Sequence, residues 1–175
     1  MRARMRAILI AALFIVVGGF AFAQTDTESH DVQINVVEVA MLDLNNLTTV
    51  VLSTQDPANA GDAVSGSSDN AKRMFFTSLA SGNRTVDARI SAGSAPAGTG
   101  VSIVASNVPA GCGTASAAVT LTGSDQSFIT GIGSCHTGLA PGITLTYQLV
   151  ITDETQLSAG DTGTVTVMLT LTDDV

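Results

Sequence analysis

Apolar and polar residues alternate along two segments near the C-terminal end of the chain. In residues 144–151 and again in residues 164–171, apolar side chains occupy every second position, and threonine fills most of the positions between them. A period of two is typical of a strand with one buried face. The intervening residues 153–161 are polar, with Gly160 near their end, so the pattern predicts a hairpin with a long loop.

Weaker alternation predicts further strands upstream, and these candidates are residues 48–53, 74–77, 86–90, 101–105 and 117–121. Glycine, proline and asparagine separate them, and no segment of helical period follows the N-terminal region. Residues 54–70 are the longest irregular stretch. This arrangement predicts an all-β fold, an antiparallel β-sandwich of immunoglobulin-like or jelly-roll-like type with about 7–9 strands.

The segment 32–41 changes phase in its middle. Its apolar residues are Val32, Ile34 and Val36 in one phase, then Val37, Val39 and Met41 in the other. A bulge, or a strand that passes from one sheet to the other, accounts for such a switch. Alternatively, the segment is a strand donor for a second molecule, with Val32, Ile34, Val37, Val39 and Met41 as its interface. Pairing within its own sandwich is the competing expectation.

The first 23 residues have the pattern of a secretory signal peptide. Three arginines precede an apolar run of residues 7–22, and Ala21 and Ala23 satisfy the small-residue requirement of the peptidase. The run is shorter than the ~20 residues that a membrane-spanning helix needs, which disfavours an uncleaved anchor. We therefore expect a single domain of residues 24–175, located in the periplasm, at the cell surface or outside the cell, without membrane insertion after cleavage.

Removal of residues 1–23 makes the chain strongly acidic. Four basic and fifteen acidic residues remain, a net charge of −11. Such a surface repels phosphate backbones and anionic headgroups, so we expect neither nucleic-acid nor membrane-surface binding. The remaining cations lie within 18 residues of one another and are Lys72, Arg73, Arg84 and Arg89. They are either solvated or self-paired, or they face an acidic neighbouring subunit.

Cys112 and Cys135 are the only cysteines, and an oxidising compartment favours their pairing as a disulfide. The alternative is a metal site that adds His136 and His30. In an extended segment, however, the adjacent Cys135 and His136 point to opposite faces, so the sequence predicts no metal site.

Catalytic signatures are lacking. No G-x-S-x-G elbow and no Gly-Lys-Ser/Thr phosphate loop occurs, and carboxylates such as Asp153 and Asp161 flank a predicted loop. We therefore expect no enzymatic activity and no cofactor. Tyr147 is in phase with the apolar positions of its strand, so we expect it to be buried rather than to stack on a sugar.

Two regions carry a resemblance. Residues 24–44, with the run Glu38, Val39, Ala40, Met41, Leu42 and Asp43, and the region from Phe128 through Gly133 to the threonine-alternating strands resemble uncharacterised secreted all-β proteins of bacterial surfaces. The resemblance implies an exported β-sandwich with no assigned activity. Chaperone-assembled pilins are a more distant likeness, because a neighbour's strand completes their folds. This chain departs from them in its central cysteines and in the absence of an aromatic residue before Val175.

Together these observations predict a secreted, non-catalytic structural or adhesive protein of the cell surface. We expect it to be a self-assembling fibre subunit, which associates with copies of itself or with other surface proteins. The alternative is an extracellular module that binds carbohydrate or another cell-surface ligand.

Overall fold

The computed structural model describes residues 28–174. The signal peptide predicted for residues 1–23, its cleavage site and Val175 lie outside this range. The chain divides into two compact units, Met1–Asn35 and Val36–Val175. In the first unit, residues 28–35 are exposed and form no strand. All the strands found among residues 28–174 belong to the second unit.

The second unit is an antiparallel all-β sandwich, as the alternation predicts. Its strands are β1 (Val39–Leu44), β2 (Thr54–Gln55), β3 (Ser65–Gly66), β4 (Ser68–Leu79), β5 (Arg84–Ser94), β6 (Thr99–Ser106), β7 (Thr114–Ala115), β8 (Val119–Thr120), β9 (Gln126–Ile132), β10 (Cys135–His136), β11 (Ile143–Ile151) and β12 (Thr164–Asp173). Seven of them have six or more residues, at the lower end of the predicted number.

The strands form two main sheets and a small hairpin. The first sheet has the order β1-β4-β11-β6-β8, with β10 also paired to β4, and the second has the order β12-β5-β9-β7. Strands β2 and β3 pair with each other. The long strand β4 pairs with β11 through its first half and with β1 through its second half.

The core lies between the two main sheets because every second side chain of each long strand points inward. Strand β4 illustrates the alternation, since Met74 and Phe76 are buried while Phe75 and Thr77 face outward. The largest completely enclosed side chains are Phe128, Met74, Ile103, Ile129, Ile132, Ile143 and Leu145. Each contributes roughly 1.5–3 kcal/mol to folding through apolar burial.

The hairpin predicted between residues 144–151 and 164–171 is wrong. Both segments are strands, but β11 pairs with β4 and β6 in the first sheet, whereas β12 pairs with β5 in the second. The connection contains a 3₁₀ turn, Glu154–Gln156, and is long enough to cross the ~10 Å between packed sheets. Periodicity shows that a segment is a strand without showing which strand it pairs with.

Two more local predictions fail. Residues 48–53, predicted as a strand, have no strand partner in the described structure, and residues 117–121 shorten to the two-residue β8. Conversely, alternation does not predict β9, because two adjacent residues within it, Phe128 and Ile129, are both buried and interrupt the period of two. Register shifts between β9 and β5 permit this, since a bulge places consecutive side chains on one face.

Candidate functional site

An apolar groove with a volume of about 1010 Å³ lies at the β12 edge of the sandwich. It lies between residues 46–53, which we call the strap, and the first residues of β12. Inward-facing side chains of the first sheet, including Tyr147 and Leu149, also line it. Lys72 and Asp161 are the charged residues of its lining.

Strand β12 leaves one of its edges open along this groove. Within the described residues it pairs with β5 alone, over the whole span Thr164–Asp173. Its half-buried apolar side chains pack against the core and are Val165, Val167, Leu169 and Leu171. Strand β12 therefore presents a row of unpaired backbone groups above an apolar surface.

The strands at the other edges of the two sheets are short or carry a charge, whereas the edge strand β12 is long and is uncharged in residues 164–172. Proteins blunt free edges by making them short or by placing charges and prolines on them. Strands β7 and β8 have only two residues each, and β1 carries Asp43. By contrast, no charged residue and no proline occurs in residues 164–172. The long edge of β12 is therefore suited to pairing with another strand.

The backbone of the strap is hydrogen-bonded at both ends, and between them the side chains of Val50 and Leu52 pack against the core. At one end the Asn45 backbone N–H donates to the Arg73 carbonyl at 2.9 Å, and at the other the Ser67 N–H donates to the Ser53 carbonyl at 2.8 Å. No backbone–backbone hydrogen bond joins residues 49–52 to any other described residue. The strap thus consists of residue types that are common in strands, but it pairs with no strand in the described structure.

Arg84 connects the edge strands β1 and β12 at the far end of β12. Its buried guanidinium donates from Nε to Asp173 Oδ1 at 2.6 Å and from Nη1 to the Val39 carbonyl, and Nη2 lies 3.7 Å from Glu38 Oε2. The hydroxyl and backbone N–H of Ser81 donate to Glu38 Oε1. These hydrogen bonds, with a smaller contribution from Arg84, lower the pKa of the Glu38 carboxyl.

The predicted donor residues fall into two groups. Val39 and Met41 lie in β1, where they pair with Leu79 and Thr77 of β4. Val32, Ile34 and Val37 lie in residues 28–38, which are exposed and form no strand. We call residues 32–37 the donor segment, after the role predicted for them. In the described structure the backbone of this segment is not part of a sheet.

The predicted cysteine pair is confirmed. Cys112 and Cys135 form a disulfide with a Cα–Cα separation of 5.6 Å. Cys112 is buried in the loop after β6 and Cys135 is half-buried in β10, so the bridge joins that loop to the outer part of the first sheet. It lies away from the residues that line the groove.

The two histidines are not close to a cluster of metal-ligating side chains. His136 pairs with Thr77 through β10, and His30 lies in the exposed N-terminal segment. Among residues 28–174 no group of three or more histidine, cysteine or acidic side chains is placed to hold a metal ion. The described part of the chain also contains no helix of the length and apolar character that crossing a bilayer requires.

Tyr147 confirms the prediction of a buried tyrosine. Tyr147 lines the groove and is only 8% exposed to solvent. This burial raises the pKa of its phenol to about 12. Sequence reasoning missed the groove itself and the burial of Lys72 in its lining. One signal was present, because a lysine occupies the inward phase of β4 two residues before the buried Met74.

Comparisons of this chain with protein-family models, with curated proteins and with solved structures find no match.

Proposed function

We propose that the protein is a secreted structural subunit of the cell exterior that assembles by strand addition. The donor segment of one molecule pairs with the open edge of β12 in the next, and its apolar side chains fill the groove. The observation that carries this proposal is that one chain contains both a strand edge, residues 164–172, that has no charge and no proline and whose first residues line an apolar groove, and an exposed apolar segment that is not part of a sheet.

The donor segment has the pattern that the groove requires. Val32, Ile34 and Val36 are 70%, 81% and 77% exposed and repeat every second residue, while Gln33 and Asn35 lie between them. In an added strand the apolar set faces the groove and the polar set faces solvent. The sequence predicts that Val39 and Met41 belong to the donor interface, but they already pair with β4 as part of β1. The third apolar contact of the donor segment is therefore Val36.

The energies indicate that all three contacts are needed. Burial of three aliphatic side chains contributes roughly 5–9 kcal/mol. Loss of translational and rotational freedom on association opposes this with an estimated 4–15 kcal/mol. Backbone hydrogen bonds along β12 must supply much of the remainder. A charged residue at one of the three positions is therefore sufficient to prevent assembly.

The proposed contact is head-to-tail, since the donor surface and the acceptor surface differ. A heterologous contact of this kind produces a closed ring or an open helical filament, depending on the rotation between successive subunits. A filament is the form that suits a structural or adhesive component of a surface. The predicted signal peptide and the disulfide support an exported location.

The test compares two aspartate substitutions in neighbouring residues of the donor segment. Ile34→Asp places a charge on the side that faces the groove, and Gln33→Asp places the same charge on the solvent side. The full mature chain and both variants are examined by size-exclusion chromatography and electron microscopy. We expect the parent and Gln33→Asp proteins to form large assemblies and the Ile34→Asp protein to remain monomeric with unchanged circular dichroism.

Two results contradict the proposal. One is a parent chain that stays monomeric at high concentration, especially if it binds glycans, which would favour a ligand-binding module. The other is equal assembly by the Ile34→Asp and Gln33→Asp proteins, which would show that the alternation of the donor segment has no part in association.

A further inference from the structure

Lys72 is a buried ammonium that is bound by a single turn of the chain. The residue is 7% exposed and lies in the inward phase of β4, below the beginning of the strap. Its Nζ donates to Asn46 Oδ1 at 2.5 Å, to the Asn46 carbonyl at 3.2 Å, to Thr48 Oγ1 at 3.3 Å and to the Thr48 carbonyl. All four acceptors belong to residues 46–48.

These acceptors are neutral. The ion pairs of the described residues involve Arg84 and Arg89, and none places a carboxylate within 4.0 Å of Lys72. A buried charge costs much free energy when it lacks partners, so the ammonium and the turn hold each other in place. The three ammonium hydrogens are distributed over four oxygens of the turn.

This attachment connects the strap to the first sheet, whereas β12 belongs to the second sheet on the other side of the groove. The strap is also strongly apolar toward solvent, with Leu47 and Val51 88% and 80% exposed. The hydrophobic effect favours closure of such a segment over the apolar surface of β12. The attachment to Lys72 opposes that movement.

We propose that Lys72 is a positioning residue that holds the strap against the first sheet and so keeps the groove open for a donor strand. This inference rests on the proposed function. The middle of the strap takes no part in a sheet and contacts the core through the half-buried side chains of Val50 and Leu52. Loss of the attachment therefore acts on the width of the groove more than on the fully enclosed core.

The test uses the full mature chain carrying Ile34→Asp, so that its own donor segment does not compete, and adds Lys72→Met. Methionine retains a long apolar side chain in the same rotamer space and removes the ammonium. Spin labels are placed at Val51 and Thr166, two exposed residues on either side of the groove. The distance between the labels, measured by electron paramagnetic resonance, reports the width of the groove. A labelled synthetic peptide of residues 28–38 reports occupancy of the groove.

We expect Lys72→Met to shift the label distances to shorter values and to weaken peptide binding at least about tenfold, equivalent to about 1.4 kcal/mol. Lys72→Arg, which retains a cation, should restore part of the binding. Asn46→Asp should bind the peptide at least as well as the parent, because a carboxylate is a stronger acceptor for the same ammonium. A residue with a merely structural role would change the melting temperature without changing the label distances.

The outcomes separate the two proposals. Absence of peptide binding by the parent contradicts the proposed function, while the label distances still decide the role of Lys72. Unchanged distances in Lys72→Met overturn the present inference, and so does unchanged peptide affinity despite shorter distances. If Lys72→Met does not fold, Asn46→Ala decides the question in the same way, since it removes one acceptor from the turn and leaves the core side chain in place.

Discussion

Ionisation of Tyr147 should destabilise the protein at alkaline pH. Burial raises the pKa of this phenol from its ordinary value of 10.0 to about 12. A raised pKa means that the folded state favours the neutral phenol. The resulting stabilisation is fully present below pH 10, where both states are protonated, and it is lost as the pH rises toward 12, because the unfolded chain releases its proton first.

The size of the effect follows from the shift. Two pKa units correspond to about 3 kcal/mol of difference in unfolding free energy between the two ends of this range. That is a large share of the 5–15 kcal/mol by which ordinary domains are stable. The loss should therefore be visible as a marked fall in the urea midpoint between pH 10 and pH 12.

The chain makes the assay unambiguous. Tyr147 is its one tyrosine, and tryptophan is absent, so the ultraviolet absorbance of ionised phenol reports this residue alone. Circular dichroism recorded in parallel shows whether the protein is still folded. Tyr147→Phe is the matched control, because every other titratable group is common to both proteins. Its unfolding free energy should lack the part of the alkaline decline that is specific to Tyr147.

The reasoning is refuted if the phenol titrates near pH 10 while the dichroism of the strands is unchanged. It is also refuted if Tyr147→Phe loses stability between pH 10 and pH 12 as steeply as the parent chain does. Either result would mean that solvent reaches the phenol in the groove.

Three further perturbations test the fold. Replacement of Cys112 and Cys135 together by alanine should lower the unfolding free energy by about 3 kcal/mol in urea titrations while the strand dichroism persists. Glu38→Gln should flatten the loss of stability in acid, because the hydrogen bonds from Ser81 lower the pKa of Glu38 and their stabilisation disappears as pH falls through the folded pKa. Phe128→Ala should cost about 3–5 kcal/mol, measured by urea unfolding, since its side chain is fully buried.

The sequence predicts strands well where burial follows a simple alternation. In β11, Leu145 and Tyr147 are buried as the period of two requires, and the cysteine pairing follows from the composition and from the compartment that the sequence predicts. It does not predict which strands meet. The partner of β12 is β5, more than 70 residues earlier, and this pairing depends on loop lengths and on the crossing between sheets.

Of the proposed site, the sequence alone suggests only the donor side. Exposed alternation in residues 32–37 is a local property, so it can be recognised from the sequence. The groove arises from several parts of the chain, including the strap, residues 95–101 and the region from β11 to β12, and none of them carries a groove pattern of its own. Residues 48–53 resemble a strand because the first four of them are β-branched. An extended segment nevertheless becomes a strand only where a partner backbone is available.

The distribution of burial indicates that the core of the sandwich is complete without a neighbouring molecule. The side chains of Phe128, Ile103 and Met74 are completely enclosed within one molecule, so the core does not need a neighbour for its completion. What remains incomplete is the apolar surface of the first residues of β12, including the half-buried Val165 and Val167, which line the groove. A donor strand would cover these residues after the sandwich has formed. Under the proposed function, association therefore follows the concentration of folded subunits rather than the rate of their folding.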